Sequence, residues 1–212
     1  MNNKNESRRV KMTKSLLNNS FLDCVAEMPL EKVTVTEICD RADVNRSTYY
    51  SYFEDPYDQY QKLEEELGTD IAALLAATLF GEVPGNEKLY KLFTSVLNYI
   101  MEKRREFKIL LSCNLDLSLL KDIIFSLWDA VFPPEDGADI DDMEQRFRYL
   151  YCSSGCISLI FQWVTSDDIN TLDADRLARM LVDFTRNNYK LAKTPPPMMN
   201  FVPPCLTVRF RQ

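Results

Sequence analysis

Residues 33–53 read VTVTEICDRADVNRSTYYSYF, and this stretch decides the fold. It divides into two short helices joined by a tight turn, because Thr34 and Glu37 have capping-box spacing and Asn45 is a favoured N-cap residue for the second helix. Asp43 lies in the turn, where it tolerates left-handed backbone angles better than most residues. Two short helices joined in this way predict a helix-turn-helix.

The two sides of this stretch differ in chemistry. One side is apolar at helical spacing, so the two helices can pack as a unit through Ile38, Ala42, Val44, Tyr49 and Phe53. The other side combines one fixed positive charge, hydroxyl groups and aromatic rings, which suit phosphates and base edges in a major groove. Its residues are Arg46, Ser47, Thr48, Tyr50 and Tyr52.

The stretch resembles the DNA-binding segment of the tetracycline-repressor (TetR) family of bacterial transcription regulators. Asp43 replaces the turn glycine usual in that family. The resemblance implies a ligand-responsive regulator, expected to be a repressor, whose homodimer binds a palindromic double-stranded DNA operator. The matching positions are Thr34, Ile38, Ala42, Val44, Thr48, Tyr49, Tyr50, Tyr52 and Phe53.

The segment after Phe53 departs from the family pattern. The family usually has a lysine after two further residues, whereas this chain has Pro56 beside Glu54, Asp55 and Asp58. Three carboxylates close to a DNA backbone would repel it, so we expect modest DNA affinity. A regulator-like dimeric adaptor that acts through a protein partner is therefore the alternative function.

Further DNA contacts are expected around this segment. Thr34 and Thr36 are placed to meet a phosphate or a base edge, although each would equally serve as a helix cap; Asn45 joins this set as a predicted contact. Lys14 belongs to a basic arm at the start of the chain, which is alternatively a solvated terminus. Residues 1–53 carry net charge +1 and the remainder −8, so positive charge is concentrated where DNA is expected.

Composition favours an all-α fold with a three-helix head and a helical body. The chain is 46% hydrophobic and contains five glycines, and its apolar residues recur at helical spacing. We expect a DNA-binding domain over 1–55 and a regulatory and dimerisation domain over 56–193. The tail, 194–212, contains five of the ten prolines and stays unassigned.

The body is predicted to contain six helices. The fifth contains FRYLYCSSGCISLIFQWV, which is similar to the penultimate helix of the TetR family, where a glycine-to-tryptophan segment helps build the dimer. Here that segment runs from Gly155 to Trp163, and burial within one subunit is the alternative. The predicted helices cover about 56–80, 86–103, 106–113, 117–132, 147–164 and 173–193.

A ligand pocket in the body is a weaker expectation. The acidic body favours a small apolar or cationic effector, but residues of the kind that could line its pocket more often belong simply to the core. These candidates are aromatic or sulfur-bearing: Phe93, Phe107, Phe125, Trp128, Tyr149, Cys152 and Phe161.

Other function classes find little support. Six scattered cysteines without a single histidine predict neither a metal site nor a cofactor, and indicate a reducing cytoplasm. We see no signal peptide, and the longest apolar run, 71–80, is about half of what a membrane span requires. No catalytic residues stand out, so we do not expect an enzyme.

Overall fold

The computed structural model describes residues 3–80, 85–113, 121, 123–124, 143–166 and 172–189; for 3–7, 85–86, 143–146, 148–149 and 187–189 the description covers the backbone only. Over these residues it is all-helical, as expected. The α-helices are α1 (Asn3–Glu27), α2 (Val35–Ala42), α3 (Arg46–Tyr49), α4 (Pro56–Leu79), α5 (Gly85–Glu102), α6 (Arg104–Cys113), α7 (Met143–Thr165) and α8 (Ala174–Tyr189), with a 3-10 helix at Leu30–Lys32.

The chain forms two compact units. The first comprises 1–66 and 108–115, and the second comprises 67–107 and 116–212, so the boundaries fall inside α4 and α6. The predicted division at 55/56 and 193/194 stays a prediction. The tail 194–212 lies outside the described residues, as does most of the helix predicted over 117–132.

In the first unit, α1 packs against the helix-turn-helix. Leu17, Phe21 and Cys24 are fully buried and form the inner face of α1. Val10, nearer the start of α1, is 37% exposed, because the buried side of the helix begins only further along the chain. At the other end of α1, a bidentate ion pair joins Arg41 to Glu27, with N–O distances of 2.5 and 2.8 Å.

The first unit also includes the first half of α4 and the second half of α6. The Tyr60 hydroxyl donates to the Leu110 carbonyl at 3.4 Å, and Gln59 Nε2 donates to Asn18 Oδ1 at 3.0 Å. Tyr60, Gln59 and Leu110 are buried. The recognition region therefore rests on more than the three helices that the sequence predicted for it.

In the second unit, α8 packs against both α5 and α7. Leu97, Ile100 and Leu181 are fully buried, and Trp163 Nε1 donates to the Leu172 carbonyl at 2.7 Å. Phe80, the last residue of the longest apolar run in the sequence, is 90% exposed, since it follows the last residue of α4.

Candidate nucleic-acid interface

Local hydrogen bonds fix where α2 and α3 begin. The Thr34 side chain accepts from the Glu37 N–H at 3.3 Å while the Glu37 carboxylate accepts from the Thr34 N–H at 3.1 Å, which completes the predicted capping box. Asp43 then adopts left-handed angles, with φ 52° and ψ 45°. Asn45 Oδ1 caps α3 by accepting from the Ser47 N–H at 2.9 Å. The turn and both helix starts are thus confirmed.

The inner side of the recognition segment is buried. Tyr49 is fully buried and Phe53 nearly so, and their ring centroids lie 5.5 Å apart. Ile38 and Ala42 from α2 are also buried. Tyr49 therefore belongs to the core, and its ring and that of Phe53 form a support beneath α3.

The outer side of the segment is exposed. Arg46 and Ser47 are exposed, and the Tyr50 ring is 58% exposed, while Thr48 and Tyr52 are partly buried. Because α3 ends at Tyr49, Tyr50 and Tyr52 lie in the turn that follows it and not in the helix itself. Helical hydrogen bonding continues there, since the Tyr50 N–H donates to the Arg46 carbonyl at 2.9 Å.

Some of the side chains predicted to contact DNA are already used in hydrogen bonds within the fold. The Thr34 hydroxyl and the Asn45 side chain serve as helix caps, and the Ser47 hydroxyl donates to Asn45 Oδ1 at 3.0 Å. Thr36 is partly buried in the first turn of α2. Arg46 and Tyr50 are therefore the side chains best placed to reach DNA directly.

Lys14 joins this surface from α1. Its ammonium lies over the Tyr52 ring, 5.8 Å from the centroid, and both residues are at least partly exposed. This distance is within the range of a cation–π contact. The structure thus brings a cation from α1 next to the end of the recognition segment.

The acidic flank is largely occupied by internal contacts. Asp55 Oδ1 accepts from the Asp58 N–H at 2.8 Å and so caps α4, whose first residue is Pro56. Asp58 Oδ2 accepts from Lys62 Nζ and from the Glu54 N–H, both at 2.8 Å. The Lys62 ammonium, together with that N–H, holds the pKa of Asp58 below its usual value. Two of the three carboxylates expected to repel DNA are therefore engaged.

Lys62 is the residue that the sequence patterns did not single out. Its ammonium also donates to the Tyr52 carbonyl at 3.0 Å and lies 5.8 Å from the centroid of the Phe53 ring. The i, i+4 spacing of Asp58 and Lys62 on a helix was the available signal, because it predicts an ion pair. It did not predict the contact with Tyr52.

Comparisons with known proteins agree with this fold. A TetR-like transcriptional regulator from Rhodococcus sp. RHA1 has a similar fold, with a TM-score of 0.59 at 12% identity over 86% of this chain and 97% of that one. A TetR-family model described as "Transcriptional regulator C-terminal region" matches residues 87–187. The chain belongs to the TetR family. The resemblance seen in residues 33–53 is thereby confirmed from a different part of the chain.

A second solved structure supports the fold of this TetR-family chain. The dihydroxyacetone kinase operon activator DhaS matches with a TM-score of 0.53 at 15% identity, over 84% of this chain and 97% of that one. The search of curated proteins gave no match. Among the described helices, none is long and apolar enough to span a membrane.

Four of the predicted effector contacts are described and lie in the second unit, and the role of all of them stays a prediction. Phe93 and Cys152 are buried, and Phe161 is partly buried. Phe107 is fully buried, and its ring packs edge-on to Tyr99 at 6.2 Å. The remaining candidates, Phe125, Trp128 and the Tyr149 side chain, lie outside the described residues.

An exposed apolar face runs along α7 and α8. On α7, Phe147 is 63% and Tyr151 is 72% exposed, four residues apart on the same side of the helix. Further along, Gly155 is exposed and has open space where a Cβ would stand. Met180 and Phe184 on α8 are also exposed. Because α7 and α8 pack against each other, large apolar side chains exposed on both helices are the kind of surface found at protein–protein interfaces.

Proposed function

We propose that this TetR-family chain is a ligand-responsive transcriptional repressor that binds a palindromic DNA operator as a homodimer. The observation that carries the proposal is the two-sided recognition segment. Arg46 and Tyr50 are exposed on its outer side, while Tyr49 and Phe53 hold its inner side in the core. A cation with adjacent phenol and hydroxyl groups, on a segment whose inner side is buried, suits phosphate and base-edge contacts in a major groove.

The direct test is selection of a duplex from a random-sequence pool by the full-length chain. The selected sequence should be palindromic, because two identical heads related by a two-fold axis read two half-sites. Affinity for it should fall steeply with salt, since each neutralised phosphate releases counterions. Failure to bind any duplex at low salt would refute the proposal.

Two variants divide specific from non-specific contacts. Arg46→Ala should weaken binding by about 1–3 kcal/mol and relax the sequence preference at one position of each half-site, as expected for loss of a base contact. Lys14→Ala should weaken binding evenly across sequences and reduce the salt slope by about one, as expected for loss of a phosphate contact. Equal effects of both variants on all DNA would contradict this division.

The exposed face of α7 and α8 supports the homodimer. We propose that the two helices pair with their copies in a four-helix interface, where the open space at Gly155 permits close approach. Tyr151→Asp should shift the chain to monomers in size-exclusion chromatography with light scattering. Phe80→Asp is the matched control, because it charges an exposed aromatic outside this face. Dissociation by both variants, or by neither, would argue against this interface.

The ligand response is proposed from the family resemblance and from the acidic body, which favours a small apolar or cationic effector. Such a ligand regulates only if it binds the DNA-competent and DNA-incompetent states with different affinity. A reporter driven by the selected operator, with and without the chain, gives the sign of regulation. One structural neighbour is named an operon activator, so increased expression in that assay would replace repression by activation.

The alternative function, a dimeric adaptor, was based on repulsion of DNA by the acidic flank. The contacts of Asp55 and Asp58 weaken that argument, because both carboxylates are used within the first unit. The proposal therefore favours direct DNA binding, and with it a location in the cytoplasm where operator DNA is accessible.

A further inference from the structure

The Lys62 ammonium connects three parts of the segment that follows α3. It donates to the Tyr52 carbonyl at 3.0 Å and to Asp58 Oδ2 at 2.8 Å. The same Asp58 oxygen accepts from the Glu54 N–H at 2.8 Å. These bonds close a ring from the end of the recognition segment, through Lys62 and Asp58, back to Glu54. We call these four residues the Lys62 clamp.

The clamp contributes little to overall stability by itself. The side chains of Lys62 and Asp58 are 45% and 24% exposed, and exposed ion pairs gain little from Coulomb attraction because water screens them. Its position is more informative. The clamp binds the Tyr52 carbonyl, and the Lys14 ammonium lies over the Tyr52 ring, 5.8 Å from its centroid. The clamp therefore lies directly behind a residue on the candidate DNA surface.

The charges around the clamp suggest what it does. Glu54, Asp55 and Asp58 place three carboxylates within five residues, beside a surface expected to meet phosphates. The partial positive charge at the N-terminus of α4 offsets the negative charge of Asp55, whose Oδ1 caps that helix. Lys62 compensates Asp58. Unpaired charges within about 10 Å of a phosphate interact with it at ordinary salt, so loss of Lys62 would expose one uncompensated negative charge to the DNA.

We propose that Lys62 is a positioning residue for DNA binding, which holds the Tyr52 backbone and neutralises Asp58 so that the acidic flank can lie beside a phosphate backbone. This inference rests on the proposed function, namely that the first unit binds DNA. The compensating cation is Lys62, which lies in the second turn of α4. The first residue of that helix is Pro56.

The experiment compares four full-length variants on the duplex selected by the wild-type chain. Lys62→Met should weaken binding about fivefold, the size expected for one screened charge pair. Lys62→Arg should bind as the wild type does, because it keeps the charge and the donors. Lys62→Met combined with Asp58→Asn should recover most of the lost affinity, because the Asp58 charge that Lys62 neutralises is removed together with Lys62. Lys91→Met, which removes an exposed lysine on α5, is the control and should have no effect.

Recovery in the double variant distinguishes charge compensation by Lys62 from a direct phosphate contact and from a folding defect. If Lys62 contacted a phosphate directly, Lys62→Met would lower the salt slope by about 0.9 and removal of the Asp58 charge would not restore binding. If Lys62→Met merely unfolded the head, the double variant would remain defective as well. Either result, or unchanged binding by Lys62→Met, would overturn the inference while the proposed function stands. Failure of the wild-type chain to select any duplex would instead refute the proposed function, and this inference with it.

Discussion

Tyr49→Phe should stabilise the recognition segment, although it removes a polar group from the element proposed to bind DNA. The Tyr49 hydroxyl is buried and has no hydrogen-bond partner among the described residues. A buried unsatisfied polar group costs about 1–3 kcal/mol. Phenylalanine keeps the ring contacts with Phe53 at 5.5 Å and Tyr50 at 5.7 Å. The expected gain is about 1 kcal/mol, at the lower end of that range.

Amide hydrogen exchange of peptides from residues 35–53 measures this gain locally. Both tryptophans, Trp128 and Trp163, lie outside this segment, so tryptophan fluorescence would not report on it. Exchange should slow about fivefold in Tyr49→Phe, since about 1.4 kcal/mol of opening free energy corresponds to a factor of ten. Operator affinity should be retained. Tyr49→Ala is the contrasting variant and should cost about 3–5 kcal/mol, because it empties a core position.

The pH dependence of stability provides a second signature. Burial, and to a smaller extent the Asp55 carboxylate, raises the pKa of Tyr49 above its ordinary value. The neutral phenol is then favoured in the folded state. Its contribution to stability is complete below about pH 10, the ordinary tyrosine pKa, and is lost as pH rises towards the folded pKa. The wild type should therefore lose stability relative to Tyr49→Phe in alkaline solution.

A loss of more than about 1 kcal/mol in Tyr49→Phe would refute this reasoning, because a satisfied hydrogen bond contributes about that much. It would mean that the hydroxyl has a partner in solution, such as an internal water. Loss of operator binding with unchanged exchange would refute it differently, by showing that the Tyr49 hydroxyl itself reaches DNA.

Three further experiments test local features of both units. Thr34→Ala should destabilise α2 by about 1 kcal/mol, because the side chain that accepts from the Glu37 N–H is lost, and exchange in α2 should quicken. Asp43→Ala should cost about 1 kcal/mol at φ 52°, whereas Asp43→Gly should be near neutral, and the pair can be compared by thermal unfolding. Iodoacetamide followed by mass spectrometry should label exposed Cys113 before Cys156, whose pKa is raised to about 11 by burial.

The local features of the head could be predicted from sequence because their chemistry spans only a few residues. The capping box joins Thr34 to a residue three positions away, and the Asn45 cap reaches two positions along the chain. The left-handed turn depends on Asp43 alone. Side chains that satisfy backbone groups at such short range leave a clear sequence signal.

Contacts between distant residues were not predictable in the same way. Tyr60 bonds to Leu110, fifty positions away, and Gln59 bonds to Asn18, forty-one positions away. Neither pair has a spacing that distinguishes it from other polar residues. Helical periodicity also does not predict that Phe80 is exposed, because it shows which side of a helix is apolar but not where neighbouring helices cease to cover that side. The site could thus be located from sequence, but its supports could not.

Those supports matter because α3 is only four residues long. So short a helix cannot form by itself, since nucleating the first turn is unfavourable. Its orientation depends on contacts with the rest of the head. These are the cap at Asn45, the buried rings of Tyr49 and Phe53 on its inner side, and the Lys62 clamp that follows its last residue. The positions of the exposed side chains therefore depend on residues that need not touch DNA. Variants that empty the buried side, such as Tyr49→Ala, should therefore lower operator affinity and speed amide exchange in 35–53 together, whereas Arg46→Ala should lower affinity alone.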